Sequence, residues 1–205
     1  MPMPWRLQFA HTFTCEVMIA TESQVDAWSP IGGSLRHWLD DAIKVGILGR
    51  TKVIAAEPLP ATEPLLVWEN GDPIPDAEHI SHLAIQRMKR PTRRITVFYA
   101  RNKAVRFSGR QGWPKGPFDA THALQLTEVF NYYRRATPEL SWLLYYDFLD
   151  YKRPRVGYVP DAWLFDKLNI PKLKIEVVGS YGPERLRDLH RPLFGYERGG
   201  SYALW

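Results

Sequence analysis

Cysteine is almost missing from this chain: Cys15 is the only one in 205 residues. A lone thiol excludes an intrachain disulfide and a cysteine cluster for zinc. A reducing cytoplasm is the natural setting for such a chain. Long apolar runs are missing too. No stretch approaches the roughly 18 residues that a membrane span needs, and the start, Met1-Pro2-Met3-Pro4-Trp5-Arg6, lacks the apolar run of a secretion signal. The expectation is a soluble, cytoplasmic protein with no membrane partner. Glycine-rich phosphate loops, a G-x-S-x-G elbow and zinc spacings are also lacking. His122 and His190 have no ligand partner nearby in sequence, and no internal repeat or low-complexity tract occurs.

Acidic residues are missing from one long stretch. Residues 79–118 hold ten Lys/Arg and no Asp or Glu, against five and eleven in residues 1–78 and twelve and eleven in residues 119–205. The net charges are therefore −6, +10 and +1 along the chain. A forty-residue block of uncompensated cations points to phosphate contact. The competing explanation is a basic face against an acidic neighbour, such as residues 1–78. The cations of the block are Arg87, Lys89, Arg90, Arg93, Arg94, Arg101, Lys103, Arg106, Arg110 and Lys115. Trp113, between Arg110 and Lys115, gives the aromatic–cation pattern that suits a nucleic-acid strand or a plug over a core edge.

What is present is ample core material. The 45% hydrophobic and 13% aromatic contents belong to a globular chain rather than a disordered one. Thr21 to Ala27 reads as a capped short helix, and Leu35 to Val45 as a helix stopped at Gly46. Residues 47–54 and 65–68 read as two strands of one ribbon. Helix, turn, helix and ribbon is the layout of a winged helix, predicted for residues 1–76. Arg36, His37 and Lys44 then lie on its exposed helix, and Arg50 and Lys52 at the wing. Asp40 and Asp41 on the same helix argue for a protein partner of residues 1–78 instead.

Residues 77–118 read as a basic linker or extension containing a helix (77–89), a strand (93–100), a short helix (103–108) and a loop. From Asp119 the pattern predicts a helix to about Arg135, strands at 142–149, 158–165 and 172–178, a helix at 184–193 and a last strand at 201–205. The order is αβββαβ, the core topology of restriction-endonuclease-like domains, assigned to residues 119–205. The fold class is therefore α/β, a winged-helix-like unit followed by a nuclease-like domain.

Pro160-Asp161 on one predicted strand faces Glu176 on the next, the arrangement with which PD-(D/E)-x-K nucleases hold a divalent metal. Such a metal stabilises charge on the scissile phosphate and lowers the pKa of the attacking water. Asp161 and Glu176 are the candidate ligands for Mg²⁺ or Mn²⁺, with Glu128 as a third. The motif lysine, two residues after the second acid, is lacking: Val178 stands there. Lys174 shares a strand face with Glu176 and is the only stand-in, since side chains two apart lie on one side of a strand. An alternative for Glu176 is a structural pairing with Arg185 or Arg187.

Several phrases resemble the replication-relaxation family of plasmid and mobile-element proteins. They are Leu35-Arg36-His37-Trp38-Leu39 through Gly46-Ile47-Leu48, Thr121-His122-Ala123-Leu124-Gln125-Leu126-Thr127-Glu128-Val129-Phe130, Val159-Pro160-Asp161-Ala162, and Ile175-Glu176-Val177-Val178-Gly179-Ser180-Tyr181. The phrases are short and spread over most of the chain. Ala123 stands where such proteins typically carry Asp after the histidine, and members commonly lack the nuclease lysine. The resemblance implies a winged helix, a nuclease-like domain and DNA handling in replication, transfer or their control. The expectation is a DNA-binding accessory protein with a degenerate nuclease domain and no cofactor. The alternatives are an active Mg²⁺-dependent nuclease using Asp161, Glu176 and Lys174, and a non-enzymatic subunit of a nucleoprotein complex.

Overall fold

The computed structural model describes residues 11–29, 34–101, 119–144, 160–195 and 201–205. The chain is mixed α/β and divides into two compact units. The first takes Met1–Pro60 and Pro91–Tyr133, and the second Ala61–Arg90 and Arg134–Trp205. The predicted helix at 103–108 and the loop with Trp113 lie outside the described residues.

The first unit begins with a π-helical turn, Thr12–Glu16, followed by α1 (Glu22–Asp26) and α2 (Arg36–Lys44). Thr21 and Gln24 cap α1 reciprocally: Thr21 Oγ1 accepts from the Gln24 N–H, and Gln24 Oε1 from the Thr21 N–H. Gly46 ends the α2 segment at φ 79°, a conformation that favours a residue without Cβ. Strand β1 (Leu48–Ala56) follows, while β2 (Leu66–Trp68) and α3 (Ala77–Met88) belong to the second unit. The first unit resumes with β3 (Thr92–Ala100) and α4 (Ala120–Ala136), which Asp119 caps by accepting the His122 N–H at 3.1 Å.

β1 pairs antiparallel with β3 through nine consecutive residues, from Leu48 opposite Ala100 to Ala56 opposite Thr92. The wing expected from residues 47–54 and 65–68 therefore does not form. β2 instead joins β7 (Ser201–Leu204) of the second unit. The physical reason is local and non-local together. Pro58, Pro60 and Pro64 make the connection unsuited to a tight hairpin turn, and β3 offers a nine-residue partner rich in Thr, Ile, Val, Phe and Tyr. Tyr99 lies opposite Gly49 and covers the gap that a missing side chain leaves there.

One face of this ribbon is core: Ala55, Ile95 and Val97 pack with Ile19 and with Ala120, Ala123 and Leu124 of α4. Helix α4 also collects buried polar contacts. Gln24 Nε2 donates to the Leu124 carbonyl at 2.8 Å, and Thr127 Oγ1 to the Ile19 carbonyl at 2.7 Å. Trp28 donates its indole N–H to Asn131 and meets Phe13 and Phe130 edge-on.

The second unit is built on a five-stranded sheet in the order β2-β7-β6-β5-β4, with β4 at Ser141–Leu144, β5 at Ala162–Phe165 and β6 at Pro171–Glu176. β4, β5 and β6 form an antiparallel meander, and β7 lies parallel to β6. The crossover between β6 and β7 contains α5 (Pro183–Gly195), as a parallel connection requires. Pro183 is the first residue of α5, where its missing N–H costs no intrahelical bond. Among the described residues the element order from Ala120 onward is thus helix, three strands, helix, strand.

Helices α3 and α5 pack on one face of the sheet through Ile80, Ala84, Leu186 and Leu189, against Trp68, Tyr202 and Leu204. Trp68 stacks on Tyr202 at 5.5 Å between ring centroids, and the Tyr202 hydroxyl lies 2.7 Å from His190 Nδ1. Burial lowers the His190 pKa from its ordinary value and raises that of Tyr202. A depressed histidine pKa means that the unfolded chain binds the proton more readily. The contribution of His190 to stability is therefore present above about pH 6.5 and lost as pH falls through its lowered folded value. The melting temperature is expected to drop on acidification from pH 7.5 to 5, and His190→Phe to flatten that part of the profile. An unchanged slope in His190→Phe would assign the pH dependence elsewhere.

Candidate functional site

β5 and β6 set the site by register. Ala162 pairs with Ile175 and Trp163 with Lys174, so the next position brings Asp161 opposite Glu176. The contacts agree with that placement. Asp161 Oδ2 accepts the Val177 N–H at 2.9 Å, and Glu176 Oε2 lies 3.4 Å from the Asp161 amide nitrogen. At the other end of this hairpin, Asp166 Oδ1 accepts the N–H groups of Leu168 and Ile170 at 2.9 Å each. The Ile170 bond is the largest cause of the lowered Asp166 pKa, and Lys172, 3.1 Å away, adds to it. Asn169 takes the left-handed conformation in that turn, at φ 58°.

Glu176 and Lys174 are buried, at 4% and 2% exposure. That is rare for charged groups and follows from their place on a central strand of the sheet. The ammonium of Lys174 stands 5.3 Å from the Trp163 ring centroid, a cation–π distance. Lys174 pairs with Trp163 on one side and Tyr202 on the other, on the sheet face that carries Glu176.

Val178 lies on that face as well, but in different surroundings. It is 2% exposed in the cluster formed by Ile80, Leu186, Leu189 and Leu204. The bond from its N–H to the Trp205 carbonyl at 2.9 Å continues the parallel ladder beyond β6. The position at which the expected motif would carry its lysine is therefore core in this chain.

Tyr181 and Arg185 complete the neighbourhood. The Arg185 guanidinium sits 3.8 Å from the Tyr181 ring centroid, and the Tyr181 carbonyl accepts from Ser81 Oγ at 2.7 Å. Burial raises the Tyr181 phenol to about 12, with the negative charges of Glu176 and Asp161 adding to the rise and Arg185 opposing it. Sequence reasoning offered Arg185 or Arg187 as partners of Glu176. Arg187 instead pairs with Glu78, and Arg185 stacks on Tyr181. The Gly179-Ser180-Tyr181-Gly182-Pro183 turn was the available signal for Tyr181, because it leads directly from Glu176 into α5.

Oxygen donors of this kind suit Mg²⁺ or Mn²⁺, which take one or two carboxylates together with water and phosphate. Asp161 and Glu176 would be the holders. Glu128 is half-buried on α4 in the part of that helix belonging to the first unit, whereas Asp161, Glu176 and Lys174 belong to the second. Among the described residues no group of three or more His, Cys, Asp or Glu side chains is arranged to hold a metal.

In comparisons with protein-family models, curated proteins and solved structures, no match was found.

The expected nucleic-acid residues fall into distinct settings. Arg36, His37 and Lys44 are exposed on α2, where His37 lies 3.5 Å from Asp41. Arg50 and Lys52 on β1 and Arg94 on β3 are exposed on one face of the ribbon. Arg93 points to the other face and pairs with Glu57. Arg87 is half-buried on α3 and donates to the Glu63 carbonyl, and burial lowers its pKa and that of Arg90. Lys89 and Arg101 are exposed. Lys103, Arg106, Arg110, Trp113 and Lys115 lie outside the described residues. Among the described residues no helix is long and apolar enough to cross a membrane.

Proposed function

We propose that this protein is a DNA-binding accessory protein of a mobile genetic element, acting in replication, transfer or their control. In this reading the first unit is a DNA-binding module built on the β1–β3 ribbon. The second is a nuclease-like scaffold of the PD-(D/E)-x-K type that has lost catalysis. The observation that carries the reading is the fate of the motif. Asp161 and Glu176 remain opposite each other, but Asp161 accepts a backbone N–H and Val178 fills a packed core where the lysine would be. The resemblance to the replication-relaxation family supports the same assignment. DNA binding is expected to weaken steeply with salt, with a slope of about −0.9 per neutralised phosphate in a plot of log affinity against log salt. Three contacts would lower affinity about 40-fold between 50 and 200 mM salt. Fluorescence anisotropy on a labelled duplex measures this, and absent or salt-independent binding would sink the proposal.

A second reading, an active Mg²⁺-dependent nuclease, is favoured by Lys174, whose buried amine lies on the face of Glu176. Lys174 would then take the part of the motif lysine, orienting the attacking water and offsetting charge on the phosphate. This reading expects Mg²⁺- or Mn²⁺-dependent cleavage that Glu176→Ala abolishes. Full cleavage in that variant would exclude it.

A further inference from the structure

Among the described residues, the cations of the first unit are not spread evenly. The β1–β3 pairing collects three of them on one solvent face. Arg50, Lys52 and Ile54 alternate along β1 with side chains on that face, and Arg94 stands directly opposite Ile54 on β3. Thr96 lies opposite Lys52, so no acid interrupts the patch in register. Arg50, Lys52 and Arg94 make no ion pair among the described residues, while Arg93 on the reverse face is paired with Glu57. At one end of the row, opposite Arg94, Ile54 is 71% exposed and adds an apolar surface beside the cations. The reverse face is packed on α4 through Ala55, Ile95 and Val97, which makes the ribbon a rigid platform rather than a loose hairpin.

From this juxtaposition we infer that the solvent face of β1 and β3 lies in the major groove of duplex DNA. The inference rests on the DNA-binding reading above and names the element that does it. A two-stranded ribbon fits a groove about 12 Å wide. The open part of this face runs from Arg50 to Ile54 on β1, about 14 Å, and the face is closed beyond it by buried Leu48, Phe98 and Ala100 at one end and Ala56 at the other. Arg50, Lys52 and Arg94 supply phosphate and base-edge donors, Thr96 a hydroxyl, and Ile54 an apolar surface for a thymine methyl. Helix α2 is the poorer reader: Asp40 and Asp41 are exposed on it, and His37 is turned to Asp41.

The test measures binding of the full chain to a labelled 30-base-pair duplex of mixed sequence, by anisotropy from 50 to 300 mM salt. Arg50→Ala/Lys52→Ala/Arg94→Ala is expected to lose at least about tenfold in affinity, with a salt slope shallower by about 2.7. Its melting temperature is expected to match the parent, because all three side chains are exposed. Arg36→Ala/Lys44→Ala is expected to keep more than half the parent affinity. Ile54→Asp tests the ribbon with a single exposed change and is expected to weaken binding at least fivefold. A minor-groove ligand is expected not to displace the protein. A parent that binds duplex while the triple variant and Ile54→Asp bind equally well would overturn the ribbon assignment and leave the DNA reading standing. Displacement by the minor-groove ligand would overturn the groove assignment alone. A parent that binds no duplex would overturn both.

Discussion

Val178→Lys, the substitution that restores the nuclease motif on paper, is expected to destabilise the protein by about 3–5 kcal/mol, the usual cost of an uncompensated buried charge. Position 178 is 2% exposed in a cluster whose aliphatic members include Ile80, Leu186, Leu189 and Leu204. Those side chains offer an ammonium no hydrogen-bond acceptor. Val178→Leu, which adds a methylene without charge, is expected to cost about 1–3 kcal/mol by overpacking. Urea denaturation of the two variants against the parent measures both. A lysine variant as stable as the parent would show that the pocket opens to water or that a carboxylate reaches it. If that variant also cleaved DNA in Mg²⁺, the second unit would be an intact nuclease frame lacking one residue. The expected result is the opposite, because position 178 is part of the core between α3, α5 and the sheet.

That placement could not be read from the sequence, although much of the frame could. Local chemistry announces the elements. Thr21 and Gln24 form a capping box, Gly46 takes a positive φ after α2, Asp119 caps α4, and Pro183 opens α5. Each is a short-range signal with its own physical cause, so the order of helices and strands from Ala120 onward was legible. Strand pairing is different, because it depends on partners far apart in the chain. The two strands expected to form one wing, around Val53 and Val67, lie close in sequence. β1 nevertheless pairs with β3, with thirty-five residues between them, and β2 joins β7 near the last residue. The grouping of Arg50, Lys52 and Arg94 on one face follows only from that register.

Burial was the other blind spot. Lys172 and Lys174 look alike in the sequence, and Lys172 is exposed. Lys174 is not, because β6 lies between β5 and β7 and its middle residues are covered on both sides of the sheet. The opposition of Asp161 and Glu176, by contrast, was anticipated correctly. A pair of adjacent strands joined by a short turn brings such positions together wherever the hairpin forms.

Asp161 therefore offers the sharpest separation of structural from catalytic duty. Its Oδ2 accepts the N–H of Val177, a residue 1% exposed. Asp161→Ala is expected to cost about 1–3 kcal/mol, because a buried donor loses its acceptor. Asp161→Asn retains a carbonyl oxygen at that place and is expected to recover most of the loss, while the negative charge that a metal would require is gone. If the carboxylate serves only to brace the strand end, Asp161→Asn should bind duplex DNA within about twofold of the parent, since roughly 0.4 kcal/mol is the whole difference at stake. If it serves a metal, Asp161→Asn should fold like the parent yet lose all Mg²⁺-dependent cleavage that the parent displays. Cleavage, not affinity, separates the two roles. A parent that cleaves and an Asp161→Asn variant that folds and binds but does not would assign the carboxylate to a metal, whereas equal cleavage in both would leave it a brace. Stability and cleavage respond to different properties of one side chain: the first needs an acceptor atom, and the second needs its charge.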